Sequence, residues 1–358
     1  MPQPQQTNVL MFGGKRCGKT TVLSSMHSEI NHALAGTSLS LQATRETTER
    51  LNAAVNAIQE RMHEFADDPL KRIEVSDDPT DATRLYRFDL RVNNKSIPFN
   101  IRDIPGEWIL DDAHRTEVQG YVREAQVILI AIDTPYLMSK MTVRGYGLYH
   151  EEYNRPGEIL DFFQNGLSVE DLRDRMILFV PIKCERYYHL DRTRQLNLYN
   201  REYMRELKPA ISAGYEGLIR YLRSTPELIN HCTIAITPIL SAGGIDFVRF
   251  RTDEATGRVV SLYQRPEFLR PEEQGYHPQF CEQPMLYSII FILQQQLMQV
   301  REMGGLTKAW NALLGHYINS EQLRSAIEVL RRKIKRGNAD DNEPSKEGFF
   351  FIQNPWNI

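Results

Sequence analysis

A glycine-rich loop between an apolar run and a helical pattern restricts the fold of this chain more than any other feature. The loop spans Gly13 to Lys19 in the segment NVLMFGGKRCGKTTVLSSM, and the helical pattern begins at Thr20. Backbone N–H groups at a helix N-terminus lack intrahelical partners, and the helix dipole adds positive potential there. Glycines allow the backbone of such a loop to close around an anion. The segment therefore predicts a phosphate-binding loop that joins a strand to a helix.

The loop also matches the pattern G-x-x-x-x-G-K-[ST]. In this pattern the lysine, here Lys19, reaches the β- and γ-phosphates, and the next hydroxyl, that of Thr20, ligates Mg²⁺. Lys15 and Arg16 stand where small residues are common, and they either reach the γ-phosphate or face solvent or a partner. The candidate nucleotide-binding residues of this segment are Gly13, Gly14, Lys15, Arg16, Cys17, Gly18, Lys19, Thr20 and Thr21.

Apolar runs separated by helical or polar stretches predict an α/β fold. The runs at 127–132, 176–182 and 233–240 are continuous, as is typical of buried parallel strands. The segments TRLYRFDLRV and IPFNIRD, joined by the turn NNKS, predict a strand pair. We therefore expect a mostly parallel sheet with one antiparallel hairpin strand, flanked by helices.

The segment DIPG, Asp103 to Gly106, follows the second strand of that pair. An aspartate at the end of a buried strand holds Mg²⁺ through water, and a glycine three residues later offers its N–H to a γ-phosphate. Together with the upstream loop, this order resembles the translation-factor-related class of P-loop GTPases, which includes Ras-like and Gα-like proteins. The long insertions resemble those of the bacterial double-GTPases, which occur beside a second GTPase in conflict and defence systems.

The resemblance implies two further segments that contact the base of the nucleotide. The segment IKCE places Lys183 along the purine ring and Glu185 as the acceptor from guanine N1 and N2. Ser241 and Ala242, after the last core strand, would offer a backbone N–H to the guanine oxygen. Ile182 stands where the class usually has Asn, so adenine stays open as the base.

Glu107 occupies the position where many members of the class have a glutamine that orients the attacking water. A carboxylate accepts from water but does not donate to the γ-phosphate, and its charge opposes the phosphate charge. Glu107 and Lys19 are the candidate catalytic residues, and we expect slow hydrolysis.

The candidate magnesium ligands are Thr20, Asp103 and a switch threonine. Thr80 and Thr83 both precede the first hairpin strand, and Thr80 is the favoured candidate. Thr80 lies at the end of a segment, 37–81, that we expect to be an expanded switch region with a helix from Ala43 to Phe65.

The domain organisation that we expect is a P-loop GTPase domain over residues 1–303, with insertions at 37–81, 134–174 and 243–284. The second insertion is aromatic and loop-rich, and the third contains a hairpin over residues 247–264. A helical extension follows at 304–336, with helices at 306–317 and 320–336. The linker and apolar tail at 337–358 dock on this domain or on another chain.

The leading hypothesis is a GTP-binding and GDP-binding molecular switch with slow Mg²⁺-dependent hydrolysis, working through protein partners such as a second GTPase or an effector. The alternatives are a pseudo-GTPase interaction module with a structural nucleotide, and an ATP-using P-loop NTPase. A net charge of −3 gives no signal for nucleic acid. The four cysteines lack metal-type spacing, the N-terminus lacks a leader pattern, and the longest apolar stretch is too short for a bilayer, so we expect a cytoplasmic protein.

Overall fold

An eight-stranded mixed sheet forms the centre of the computed structural model. The structure describes residues 7–67, 73–74, 82–93, 95–109, 111–143, 145, 147–185, 198–254, 257–265, 275–302, 320–336 and 343–358. In spatial order the strands are β11 (Phe350–Gln353), β8 (Thr233–Ile236), β7 (Met176–Ile182), β6 (Val127–Asp133), β1 (Thr7–Gly13), β5 (Lys95–Asp103), β4 (Arg84–Val92) and β2 (Leu39–Ala43).

The five strands from β8 to β5 are mutually parallel, and the pairs β4/β5, β2/β4 and β11/β8 are antiparallel. Strands β6 and β7 are buried along their whole length, as their continuous apolar runs predict. The predicted fold class, a mostly parallel sheet with an antiparallel hairpin, is therefore confirmed.

Helices cover both faces of this sheet. They are α1 (Lys19–Leu34), α2 (Arg45–Asp67), α3 (Asp112–Glu124), α4 (Thr134–Leu137), α5 (Tyr149–Tyr153), α6 (Pro156–Asn165), α7 (Val169–Leu172), α8 (Leu198–Gly214), α9 (Glu216–Ser224), α10 (Pro226–Ile229), α11 (Glu282–Glu302) and α12 (Ser320–Arg331). Alternate residues of β1 face opposite sides: Met11 packs with α1 and α11, and Phe12 packs with α3 and α6. None of the helices within the described ranges is long and apolar enough to cross a bilayer.

A second, three-stranded antiparallel sheet lies outside the main one. Its order is β3 (Ile73–Glu74), β10 (Val259–Gln264) and β9 (Asp246–Thr252). The hairpin predicted over residues 247–264 is confirmed by the β9/β10 pairing.

Two of the predicted insertions have more regular structure than their sequences suggested. Ala43 was expected to begin a helix, but it ends β2, and α2 begins at Arg45. Leu39 and Leu41 alternate with more exposed residues, so one face of this edge strand is buried. Residues 134–174 were expected to be loop-rich, and the structure adds four helices, α4 to α7, between their loops.

The C-terminal tail docks on the same sheet as the phosphate-binding loop. Strand β11 pairs with β8, and Phe349 is fully buried in the core. Helix α12 packs on α11, whereas the helix predicted at 306–317 lies outside the described residues. The predicted divisions at residues 303 and 337 stay predictions.

Candidate functional site

The carboxyl ends of β1 and β5 bring the loop and the DIPG segment together. The two strands are parallel neighbours, and Met11 is in register with Asp103. The chain leaves β1 into the loop and leaves β5 into DIPG at the same edge of the sheet. Parallel α/β sheets bind ligands at this edge.

Lys19 is the first residue of α1, and its side chain turns back into the loop. It is buried, and its Nζ lies 3.4 Å from the Gly13 carbonyl oxygen and 3.3 Å from that of Gly14. These carbonyls hold the ammonium group over the concave side of the loop. A bound phosphate would find a positioned cation and the free N–H groups of α1.

The Thr20 hydroxyl donates to Asp103 Oδ2 over 3.4 Å, and Asp103 is fully buried. Both groups present oxygen, which is the donor that Mg²⁺ prefers, so these two residues fit this ion. In the part of the chain that the structure describes, no group of three or more His, Cys, Asp or Glu side chains is placed to hold a metal ion by itself. This arrangement suits an ion that takes its other ligands from phosphate and water. Thr80, the third predicted ligand, lies outside the described residues.

Gly106 and Gly14 lie where backbones approach closely. A Cβ added to Gly106 would lie 2.6 Å from the Gly13 carbonyl oxygen and 2.7 Å from the Lys15 nitrogen. A Cβ on Gly14 would lie 2.0 Å from the Tyr153 carbonyl oxygen. The loop is thus held between the DIPG segment and α5, and any other residue at either position would force these backbones apart.

Lys15 forms an ion pair with Glu107 across the mouth of the site. Both side chains remain partly exposed, so the pair adds little stability. Its importance is chemical, because it places a positive charge against the carboxylate that stands in the water-orienting position. Arg16, the next residue of the loop, adopts a left-handed conformation with φ 58°. Trp108, which follows Glu107, stacks on His114 with ring centroids 3.8 Å apart.

Cys17 and Thr21 point into the protein rather than into the loop. Both are buried, and burial raises the pKa of the Cys17 thiol even though Lys19 opposes the shift. Cys17 therefore stays a neutral packing residue beneath the loop, and its backbone N–H donates to the Gly14 carbonyl over 3.4 Å.

The predicted base lysine is held by an aspartate that the sequence analysis did not single out. Lys183 Nζ lies 2.6 Å from Asp133 Oδ2, and Asp133 ends β6 next to the loop strand. The Asn154 side chain accepts from the Asp133 N–H at 2.8 Å and donates to its carbonyl at 3.1 Å. Asn154 also contacts His150 Nδ1 at 3.0 Å, and burial lowers the pKa of His150.

This network fixes the end of α5 to the end of β6, where Lys183 pairs with Asp133. The sequence signal for this network is limited to Asp133, which ends a continuous apolar run. Asn154 comes from an insertion with no motif of its own.

Glu185 lies in the loop after β7 and is 1% exposed. Its Oε1 accepts from the Ala242 N–H at 2.8 Å, and the Gly243 N–H lies 3.4 Å away. Ser241 Oγ lies 3.5 Å from the same oxygen. Burial raises the pKa of Glu185, while these backbone donors lower it.

The structure therefore brings Glu185, Ser241 and Ala242 together, as predicted, but with a difference. The Ala242 N–H was expected to contact the guanine oxygen, and here it is engaged by Glu185. Glu185 Oε2 is buried and has no hydrogen-bond partner among the described residues.

The sheet, the loop and the DIPG segment are arranged as in a Ras-like P-loop GTPase. Residues 9–155 match the model of the family described as Double-GTPase 2. This part of the chain is a P-loop GTPase of the double-GTPase type, which confirms the resemblance inferred from the motifs. No curated protein matches the chain.

Proposed function

We propose that the protein is a GTP-binding molecular switch that hydrolyses GTP slowly with Mg²⁺ and acts through protein partners. The observation that supports this most strongly is the arrangement of three side chains around the loop. The Lys19 ammonium group lies within hydrogen-bonding distance of two loop carbonyls, and the Thr20 hydroxyl donates to Asp103. A second GTPase is the partner that we propose, on the resemblance to the double-GTPases that the motifs and insertions carry.

In this proposal Lys19 and the α1 N-terminus bind the β- and γ-phosphates. Thr20 and Asp103 hold Mg²⁺, which supplies charge neutralisation when bound. Gly106 donates its N–H to the γ-phosphate, and this contact is lost after hydrolysis. Lys183 lies along the purine, and Glu185 Oε2 accepts from its N1 and N2 groups.

A nucleotide-binding module without hydrolysis is the second candidate. It is supported by Glu107, which stands where many members of the class have a glutamine and whose carboxylate pairs with Lys15. Turnover of bound GTP separates the two candidates, since the module would bind GTP and leave it intact.

The base preference tests the proposed role of Glu185. We expect the protein to bind GTP more tightly than ATP, because guanine has two donors for a carboxylate where adenine has none. Glu185→Gln keeps an acceptor for the Ala242 N–H but replaces Oε2 with a donor, so the preference should fall by about 10-fold or more. Calorimetric titration with both nucleotides measures the ratio.

Equal affinity of the wild-type protein for GTP and ATP would remove Glu185 from base recognition. So would an unchanged ratio in Glu185→Gln. Glu117→Gln, on the exposed side of α3, is the matched control and should leave the ratio as it is.

The hydrolysis rate tests the role of Glu107. We expect basal turnover of roughly 10⁻⁴ to 10⁻² per second, the range of unassisted switches of this class. Glu107→Gln should raise the rate, because glutamine restores a donor, removes a negative charge near the γ-phosphate and releases Lys15 from its ion pair. Single-turnover hydrolysis measured on both proteins gives the comparison.

Glu107→Ala separates the effect of the added donor from the effect of the lost charge, since it removes the charge without adding a donor. A rapid wild-type enzyme that Glu107→Gln inactivates would reverse the assignment and make Glu107 the residue that activates water.

A further inference from the structure

The end of α5 contacts both halves of the proposed nucleotide site. On one side, the Tyr153 carbonyl oxygen lies so close to Gly14 that a Cβ added to that glycine would be 2.0 Å away. On the other side, the next residue, Asn154, is 1% exposed and forms two hydrogen bonds to the main chain of Asp133. Two consecutive residues therefore connect the phosphate-binding loop with the end of β6.

The Asp133 carboxylate connects Asn154 to Lys183. Asp133 is in register with Ile182, so Lys183 follows directly at the neighbouring strand end. The Asp133 Oδ2 atom lies 2.6 Å from Lys183 Nζ, and Oδ1 accepts from the Tyr136 N–H at 3.4 Å. The side chains of Lys183 and Asp133 are 12% and 1% exposed, and an ion pair this buried is stable only where its geometry is well fixed.

The Asn154 amide has one orientation in this network. Its Oδ1 accepts from the Asp133 N–H, and its Nδ2 lies 3.1 Å from the Asp133 carbonyl oxygen and 3.0 Å from His150 Nδ1. Burial lowers the pKa of His150, which favours a neutral ring with Nδ1 as an acceptor. A reversed amide would place Oδ1 against two acceptors and Nδ2 against a donor. The orientation of the amide is thus fixed, and with it the backbone of Asp133.

The backbone of Lys183 is in the left-handed conformation, with φ 59°. Non-glycine residues adopt this conformation rarely, and they keep it where the surrounding structure fixes them, most often at ligand sites. Ile182, where the class usually has Asn, has no amide group. Asn154 brings an amide to the same strand ends from a different element.

We infer that Asn154 is a positioning residue for the nucleotide base, which holds Lys183 along the purine through Asp133. This inference rests on the proposed binding of guanine nucleotides, with Lys183 beside the base. It gives the insertion at 134–174 a role in base binding, although that segment has no nucleotide-binding motif.

Asn154→Ala and Lys183→Ala, alone and together in the full chain, test this inference by calorimetric titration in Mg²⁺. Each single variant should bind GTP about 10-fold more weakly, because each removes the positioned contact with the purine. The double variant should bind GTP no more weakly than Lys183→Ala, since Asn154 acts through Lys183. The affinity for ribose 5′-triphosphate, which lacks the base, should be the same in the wild-type protein and in every variant.

Asp133→Asn tests the second link of the network without removing any side-chain volume. It keeps both main-chain hydrogen bonds to Asn154, so the fold should be preserved, but it loses the ion pair with Lys183. We expect GTP binding to weaken by a factor similar to that of Asn154→Ala, with no loss of affinity for ribose 5′-triphosphate.

Asn100→Ala is the matched control for stability. Asn100 is a buried asparagine of β5 whose side chain donates to Asn8 at 3.1 Å, at the opposite end of β1 from the loop. Both Asn100→Ala and Asn154→Ala should lower the melting temperature, because each removes a buried hydrogen bond. Asn100→Ala should nevertheless keep the wild-type affinity for GTP.

The outcomes separate this inference from the proposed function. Equal weakening of GTP and ribose 5′-triphosphate in Asn154→Ala, or unchanged GTP affinity, overturns the inference and leaves the proposed function intact. Additive losses in the double variant overturn it as well, because Asn154 would then act independently of Lys183. A wild-type protein that binds no guanine nucleotide overturns both.

Discussion

Lys19→Ala is expected to weaken the binding of GTP by about 100-fold or more while the protein stays folded. Lys19 is buried, and the carbonyls of Gly13 and Gly14 hold its ammonium group inside the loop. A bound phosphate would gain two charge-assisted hydrogen bonds there, each worth about 1.5–3 kcal/mol. The alanine variant loses this cation and leaves the phosphates only the N–H groups of α1 and the loop. Isothermal titration calorimetry with GTP in Mg²⁺ measures the loss.

Lys15→Ala is the matched control for this experiment. It removes a lysine from the same loop, but one whose ammonium group pairs with Glu107 at the exposed mouth of the site. We expect it to change GTP affinity less than 10-fold. Unchanged affinity in Lys19→Ala, with an unaltered thermal unfolding curve, would contradict the assignment of this loop to phosphate binding.

The core of the fold was predictable because its signals are local and redundant. Strands β6 and β7 are apolar at every position except Asp133, the last residue of β6, and such a continuous apolar run is typical of a strand buried on both faces. The β4/β5 pair combines alternating burial with a turn sequence between the strands. The loop adds a motif whose geometry is tied to one strand–loop–helix unit.

The edge strands were not predictable because their patterns are too short to identify a strand. Strand β2 has five residues and β11 has four. A run of this length fits a strand or a helix equally well, and only its neighbour in space decides. For β11 that neighbour is β8, more than a hundred residues earlier in the chain.

The residues of the site also fall into two groups, those that the sequence predicts and those that it does not. Lys19, Thr20, Asp103 and Gly106 lie in two motifs with fixed spacing, so their positions follow once β1 and β5 are neighbours. Asn154 acts through side-chain contacts to the backbone of Asp133, which lies on a different element. No periodicity or motif predicts contacts of this kind.

Gly106→Ala is expected to reduce single-turnover hydrolysis of GTP by about 100-fold and to weaken GTP binding more than GDP binding. The added Cβ would lie 2.6 Å from the Gly13 carbonyl oxygen, 2.7 Å from the Lys15 nitrogen and 2.8 Å from the Gly14 carbonyl carbon. All three are backbone atoms, so the loop or the DIPG segment must shift. A displacement of about 1 Å in a reacting site costs roughly 10²-fold in rate. GTP loses more than GDP because the proposed partner of the Gly106 N–H is the γ-phosphate.

Gly120→Ala in α3 gives the comparison, since no atom lies within 4 Å of its added Cβ. Alanine stabilises a helix interior by about 0.5–1 kcal/mol over glycine, so this variant should unfold at a slightly higher temperature and hydrolyse GTP at the wild-type rate. If Gly106→Ala lowered the affinities for GTP and GDP equally, the contact of Gly106 would be with the loop alone. Its N–H would then not distinguish the triphosphate from the diphosphate, and the change of state on hydrolysis would have to arise from another segment.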